Sequence, residues 1–130
     1  MSDEQVKQFL TICSELLGRG AFQSSESASW CSWTTFSRLA EDAGYWTAGL
    51  PGVDELTDVG VRDGGTWGQP FLFEDIAHVI VPRQFYWEKT GDSGFVQGTR
   101  LQDIDLLSER LTAAGVEHRL TRLVLELKRY

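Results

Sequence analysis

The chain has 130 residues, of which 42% are hydrophobic and 24% are charged, and its formal net charge is −7. These proportions are typical of one globular domain and exclude a disordered chain or a disulfide-rich scaffold. The sequence has no apolar run of about eighteen residues and no signal-peptide pattern at its start, so it predicts a cytoplasmic protein without a membrane segment.

The first predicted element is an amphipathic helix over residues 3–17. Ser2 is placed to cap it, Gln5 completes a capping box, and Gly18 provides a stop. Apolar residues recur at helical spacing along one face, which we expect to be buried. That face consists of Val6, Phe9, Leu10, Cys13, Leu16 and Leu17.

A second helix is predicted from about Ser29 to Ala43, ending at Gly44, because its apolar residues continue at helical spacing. The alternation of Cys31 and Trp33 leaves a short strand as the alternative for its first residues.

Both cysteines are expected to be reduced core residues. Cys13 lies on the apolar face of the first helix, and no base or orienting group can be assigned around Cys31. The two thiols have no CxxC spacing, and neither His78 nor His118 belongs to a metal-ligand pattern, so no metal or other cofactor is expected.

Residues 44–70 form a glycine-rich segment with little periodicity, which is typical of a functional or mobile stretch. It contains no phosphate-binding motif, since neither GxxxxGK[ST] nor GxGxxG occurs. Residues 41–75, which include this segment, hold eight acids and one base and therefore carry the whole net charge. Such a localised negative field repels nucleic acid and attracts a basic protein.

The C-terminal half predicts strands and one helix. "IAHVIV" reads as a buried strand, and "QFYWE" and "FVQGTR" flank the turn signal "KTGDSG" as a hairpin. A helix follows over 101–115, then alternating strands over 116–120 and 123–127. The expected fold is a single α+β domain over residues 1–130, with an antiparallel or mixed sheet and its helices mainly on one face.

The acidic segment is the predicted partner-binding site. Trp46 and Trp67 are expected to act as aromatic anchors, because a few large aromatic side chains dominate the affinity of most interfaces. Carboxylates facing Lys or Arg of a basic partner would add charge complementarity. Those carboxylates are Asp54, Glu55, Asp58 and Asp63.

Residues 67–130 resemble the C-terminal half of small acidic bacterial immunity-type proteins. The similarity is carried by an acidic step before a strand, a leucine-rich helix, a Gly-Val step and a final Tyr. These are Glu74-Asp75-Ile76, Leu106-Leu107, Gly115-Val116 and Tyr130. The resemblance implies a protein that binds one cognate toxin and blocks it without catalysis of its own.

We therefore expect an acidic protein-binding inhibitor, in the preferred case an immunity protein that covers the basic active site of a bacterial toxin. A small cysteine- or carboxylate-dependent hydrolase is one alternative. A regulatory subunit or anti-defence inhibitor is another, chemically similar but with a different partner. The sequence does not predict an oligomeric state.

Overall fold

The first helix, α1, begins at Asp3 and ends at Leu17 in the computed structural model, which describes residues 1–130. The backbone N–H of Gln5 donates to Ser2 Oγ at 3.2 Å, and the N–H of Ser2 donates to Gln5 Oε1 at 3.1 Å. The predicted capping box is confirmed, and it satisfies two amides that the helix itself leaves without partners.

Two further helices and nine strands complete the chain, together with short 3₁₀ turns. The helices are α2 (Phe36–Ala40) and α3 (Ile104–Ala113). The strands are β1 (Cys31–Thr35), β2 (Trp46–Ala48), β3 (Gly60–Val61), β4 (Phe71–Leu72), β5 (Ile76–Pro82), β6 (Gln84–Gly91), β7 (Gly94–Leu101), β8 (Arg119–Leu120) and β9 (Val124–Lys128).

The main sheet has five strands in the order β2-β1-β5-β9-β8, and every neighbouring pair is antiparallel. β3 and β4 form a separate small sheet, and β6 and β7 form the predicted hairpin. The α+β class expected from the sequence is confirmed. No helix is both long enough and apolar enough to cross a membrane.

One core cluster joins the helices to the sheet. α1 contributes Phe9 and Leu10, and α3 contributes Leu107, all fully buried. They lie in the same cluster as Val79 of β5 and Leu127 of β9, which are partners in the sheet register. Alternate residues of these strands point to the helices, because successive side chains of a strand face opposite sides.

The helix predicted from Ser29 to Ala43 is wrong in its first part, where the chain forms β1. Thr34 and Thr35 are β-branched, and β1 hydrogen-bonds to strands on both sides, so pairing outweighs the helical spacing of the apolar residues. The helix starts only after Thr35, whose Oγ1 accepts from the Arg38 N–H at 3.3 Å.

The third helix also starts later than the predicted residue 101. Gln102 is buried and bridges the loop: its side chain accepts from the Trp30 N–H at 2.9 Å and donates to the Pro82 carbonyl at 2.9 Å. Asp103 then caps α3 by accepting from the Leu106 N–H at 3.0 Å. The strand predicted over 116–120 shortens to the two residues of β8.

Candidate functional site

The two predicted tryptophan anchors belong to one stack of indole rings. Trp33 of β1 lies between Trp67, at 3.9 Å between ring centroids, and Trp46, at 6.1 Å. Phe71 meets all three rings edge-on, at 4.9 to 5.6 Å. Aromatic rings favour these offset-stacked and edge-on geometries, so the stack is a stable part of the core.

Trp67 is a core residue, which corrects its expected role as a surface anchor. Only 4% of it is exposed, and its Nε1–H donates to the Gly49 carbonyl at 3.0 Å. The large apolar ring is stabilised by removal from water, and the single polar atom has its partner inside the fold. A partner protein cannot reach this side chain.

Trp46 remains partly exposed at the edge of the stack. The guanidinium carbon of Arg38 lies 3.9 Å from its ring centroid, a cation–π contact. The Arg38 Nε–H also donates to the Gly44 carbonyl at 2.9 Å, which fixes the guanidinium above the ring. Of the two predicted anchors, Trp46 is therefore the one that a partner can contact.

Glu55 is also misassigned by the sequence prediction, because its side chain is fully buried. The carboxyl group accepts from the Gly52 N–H, the Thr66 N–H and the Thr66 hydroxyl, and Arg19 lies 3.7 Å away. These bonds connect Gly52 to Thr66 across the glycine-rich segment. Gly65 passes so close that a Cβ there would overlap Glu55 Oε1. Glu55 thus holds the loop together and does not face a partner.

The other three predicted carboxylates are exposed, but they differ in how far their charge is offset. Asp54 accepts from Arg19 at 2.9 Å, and Arg62 lies 4.0 Å away. Asp58 is fully exposed, with only Lys7 nearby at 3.5 Å. Asp63 has no basic side chain within 4 Å. Asp58 and Asp63 therefore contribute more to the external field than Asp54 does.

A shallow depression of about 440 Å³, here called the aromatic groove, lies beside α2 and β4. Its wall includes the exposed edge of Trp46 and the ring of Phe71, and Asp75 stands at its side. Five of the nine lining residues have polar or charged side chains, so the groove offers hydrogen-bonding groups beside its apolar wall. The groove is lined by Thr35, Ser37, Arg38, Trp46, Gln69, Pro70, Phe71, Leu72 and Asp75.

A second depression of about 280 Å³, here called the acidic groove, lies on the other side of Leu72. Three of its five lining residues are carboxylates, and the other two, Val59 and Leu72, are exposed apolar residues. The acidic groove is lined by Asp3, Asp58, Val59, Leu72 and Glu74.

Leu72 lines both grooves, so they form one continuous surface, here called the two-groove surface. Glu74 and Asp75 follow it in sequence, are both exposed, and have no basic side chain within 4 Å. Sequence reasoning counted these two acids in the charge of the segment but did not select them as site residues. No sequence signal marks them, because the exposure of the neighbouring Leu72 is visible only in the structure.

Sequence reasoning also missed a hydrogen-bonded chain on the face of the sheet opposite the helices. His78 Nε2 donates to Glu126 Oε1 at 2.7 Å, and His78 Nδ1 is hydrogen-bonded to the Tyr45 hydroxyl at 2.7 Å. The hydroxyl of Tyr130 lies 3.5 Å from that of Tyr45. Tyr45, His78 and Glu126 come from distant parts of the chain, so no local motif marks them.

The Tyr45 phenol is held in its neutral form. Burial raises the pKa of Tyr45 to about 12, and the neighbouring Tyr130 hydroxyl and Glu126 carboxylate add to the rise. The order carboxylate, imidazole, hydroxyl resembles a hydrolytic triad. A nucleophile needs a lowered pKa, however, so the arrangement fits an oriented phenol and not an activated one.

The thiols are core residues, as predicted. Cys13 and Cys31 are fully buried, and burial raises the pKa of each thiol well above its ordinary value. Because the thiolate is the reactive form, neither residue supports the cysteine-hydrolase alternative. No group of three His, Cys, Asp or Glu side chains is arranged to hold a metal ion.

Comparison of the chain with models of protein families, with curated proteins and with solved structures finds no match in any of the three.

Proposed function

We propose that this chain is an acidic protein-binding inhibitor, and in the preferred case an immunity protein that covers the basic active site of a cognate bacterial toxin. The observation that carries the proposal is the two-groove surface. There Leu72 separates a groove with three carboxylates from a groove walled by Trp46 and Phe71.

The charge and apolar residues of this surface are complementary to a basic partner. Affinity at interfaces comes mainly from a few apolar or aromatic residues at the centre, here Leu72 and Trp46. Charged residues around that centre accelerate encounter and select partners of opposite charge. Asp58, Glu74 and Asp75 supply that charge within the lining of the two grooves.

A toxin that acts on nucleic acid needs a positively charged cleft to hold the phosphate backbone. An acidic protein that carries an exposed apolar centre can occupy such a cleft in place of the substrate. Lys or Arg side chains of the cleft would enter the acidic groove, and an apolar side chain would contact Leu72 and Trp46.

The proposal is tested by expressing the genes that flank the coding sequence one at a time in a bacterial host, with and without this chain. One neighbouring product is expected to stop growth when it is alone and to be neutralised when the chain is present. The proposal is overturned if no neighbour is toxic, or if toxicity persists beside the chain.

The site within the proposal is tested with L72A/E74K, assayed for protection and for binding of the purified toxin. Loss of Leu72 contacts and reversal of one charge are expected to raise Kd by roughly 100-fold. D92K in the turn of the β6–β7 hairpin makes the same charge change at an exposed site outside both grooves. It is expected to bind like the wild type; equal losses in the two variants would contradict the assignment of this surface.

A further inference from the structure

The β6–β7 hairpin has one edge without a backbone partner. Every sheet hydrogen bond of β7 goes to β6, and no backbone group of residues 94–101 bonds to another part of the chain. β6 differs, because the turn Ser24–Glu26 packs against that strand. An unpaired edge of eight residues is a template for a further strand.

The hairpin also exposes large apolar side chains. Leu101 is 79% exposed, Phe95 is 56% exposed and Tyr86 is 53% exposed. Phe85, which stacks on Trp30 at 5.9 Å, is the one buried residue of the hairpin. Two strands alone are marginally stable in water, whereas three or more with an apolar face are stable. This hairpin would therefore gain from an added strand.

The charge of the hairpin favours a second copy of this chain as the added strand. Residues 84–101 hold two acids and two bases, so they are neutral in a chain of net charge −7. Two copies repel each other most where their acidic segments approach, and pairing through the neutral hairpin adds no like-charge repulsion at the contact itself. A basic partner is not favoured at this edge, because the edge offers it no opposite charge.

We propose that two copies of this chain associate through antiparallel pairing of their β7 strands, with the twofold axis at Gly98. This register sets Phe95 opposite Leu101 of the second copy, and the symmetry repeats the contact. Gln97 then faces Thr99, and Arg100 faces Val96, so no two charges of like sign are opposed. The product is a four-stranded antiparallel sheet in which the apolar pairs are the unit of stabilisation.

The association is tested by light scattering during gel filtration. The wild type is expected to have twice the chain mass of 14.6 kDa. F95K/L101K is expected to be a monomer with an intact cooperative unfolding transition, because the substitutions oppose a lysine to a lysine across the axis. L123K, at an exposed apolar residue outside the hairpin, should remain a dimer. A monomeric wild type up to its solubility limit would overturn the proposal, as would a dimeric F95K/L101K.

The register is tested by oxidising Q97C/T99C and analysing it under non-reducing conditions. Opposed residues lie about 5 Å apart, within disulfide range, so the double variant should form a covalent dimer. Q97C alone should not, because the two copies of residue 97 are only diagonal neighbours, about 7–8 Å apart. Cys13 and Cys31 are buried and do not compete. Absence of the covalent dimer in Q97C/T99C, or equal cross-linking in the two variants, would overturn the register.

Discussion

The indole rings of Trp33 and Trp67 lie face to face, with 3.9 Å between their centroids and 8° between their planes. Trp67 comes from the glycine-rich loop and Trp33 from the central part of the sheet. The contact therefore fixes the loop, which has little regular secondary structure, to the core. Loop residues with such burial are part of the folding unit and not of its mobile surface.

Truncation of the Trp67 side chain should destabilise the protein. W67A is expected to lower the free energy of unfolding by about 3–5 kcal/mol, because it removes a buried aromatic side chain and leaves a cavity. W87A, at a half-buried tryptophan of the hairpin, is the matched control and should cost less. Urea unfolding monitored by circular dichroism measures both; equal losses would contradict the burial difference.

Glu55 and Gly65 should be energetically coupled. E55A leaves the buried amide of Gly52 and the partly buried amide of Thr66 without their acceptor, at about 1–3 kcal/mol for the buried group and less for the other. G65A is destabilising because its Cβ overlaps the Glu55 carboxyl group.

In the E55A background the Cβ of G65A has space, so its additional cost should be smaller than in the wild type. A double-mutant cycle measures this difference from unfolding free energies. Strictly additive costs would show that the loop does not pack around Glu55 in the way described.

The two thiols should be unreactive in the folded protein. Cys13 and Cys31 are fully buried, and their raised pKa values keep them protonated. Iodoacetamide is expected to modify neither residue in the native state and both in denaturant, as counted by mass spectrometry. Rapid native modification of Cys31 would restore the cysteine-hydrolase alternative.

Tyr45 should contribute stability that is lost in alkali. Its pKa is about 12 in the folded state and 10.0 in the unfolded chain. A raised pKa means that the folded state retains the phenolic proton, so the contribution is complete below pH 10 and declines as pH rises towards about 12.

Y45F lacks this proton, so the stability difference between the wild type and Y45F should shrink across that pH range. The urea midpoints of both proteins, determined at each pH, measure this difference. Lysine titration affects both proteins equally and therefore cancels in the difference. A difference that is constant with pH would contradict the raised pKa.

Local signals predicted the local elements well. The capping box and apolar face identified α1, and the "KTGDSG" turn identified the β6–β7 hairpin. The error at β1 came from a segment whose spacing fits a helix but whose pairing with β2 and β5 was invisible in the sequence. Tertiary pairing commonly overrides such local preference.

The candidate site was predicted only in part, because burial depends on distant residues. Asp58 and Trp46 line the two-groove surface, whereas Glu55 and Trp67 are buried. No residue spacing in the sequence predicts the hydrogen-bond partners that hold these two side chains inside the fold. A carboxylate in a glycine-rich loop reads as exposed unless its hydrogen-bond donors are known. The chain from Tyr45 through His78 to Glu126 was unpredictable for the same reason.

The position of β5 in the sheet has a consequence for the order of folding. Its two neighbours, β1 and β9, come from opposite sides of it in the chain, and both are remote in sequence. The β6–β7 pairing is local and closes only a short turn, whereas β5 pairs only after two long loops have closed. Until then its β-branched residues present two open edges. The yield of folded protein therefore depends on how fast those edges are covered. Slower synthesis at low temperature should favour folding over aggregation.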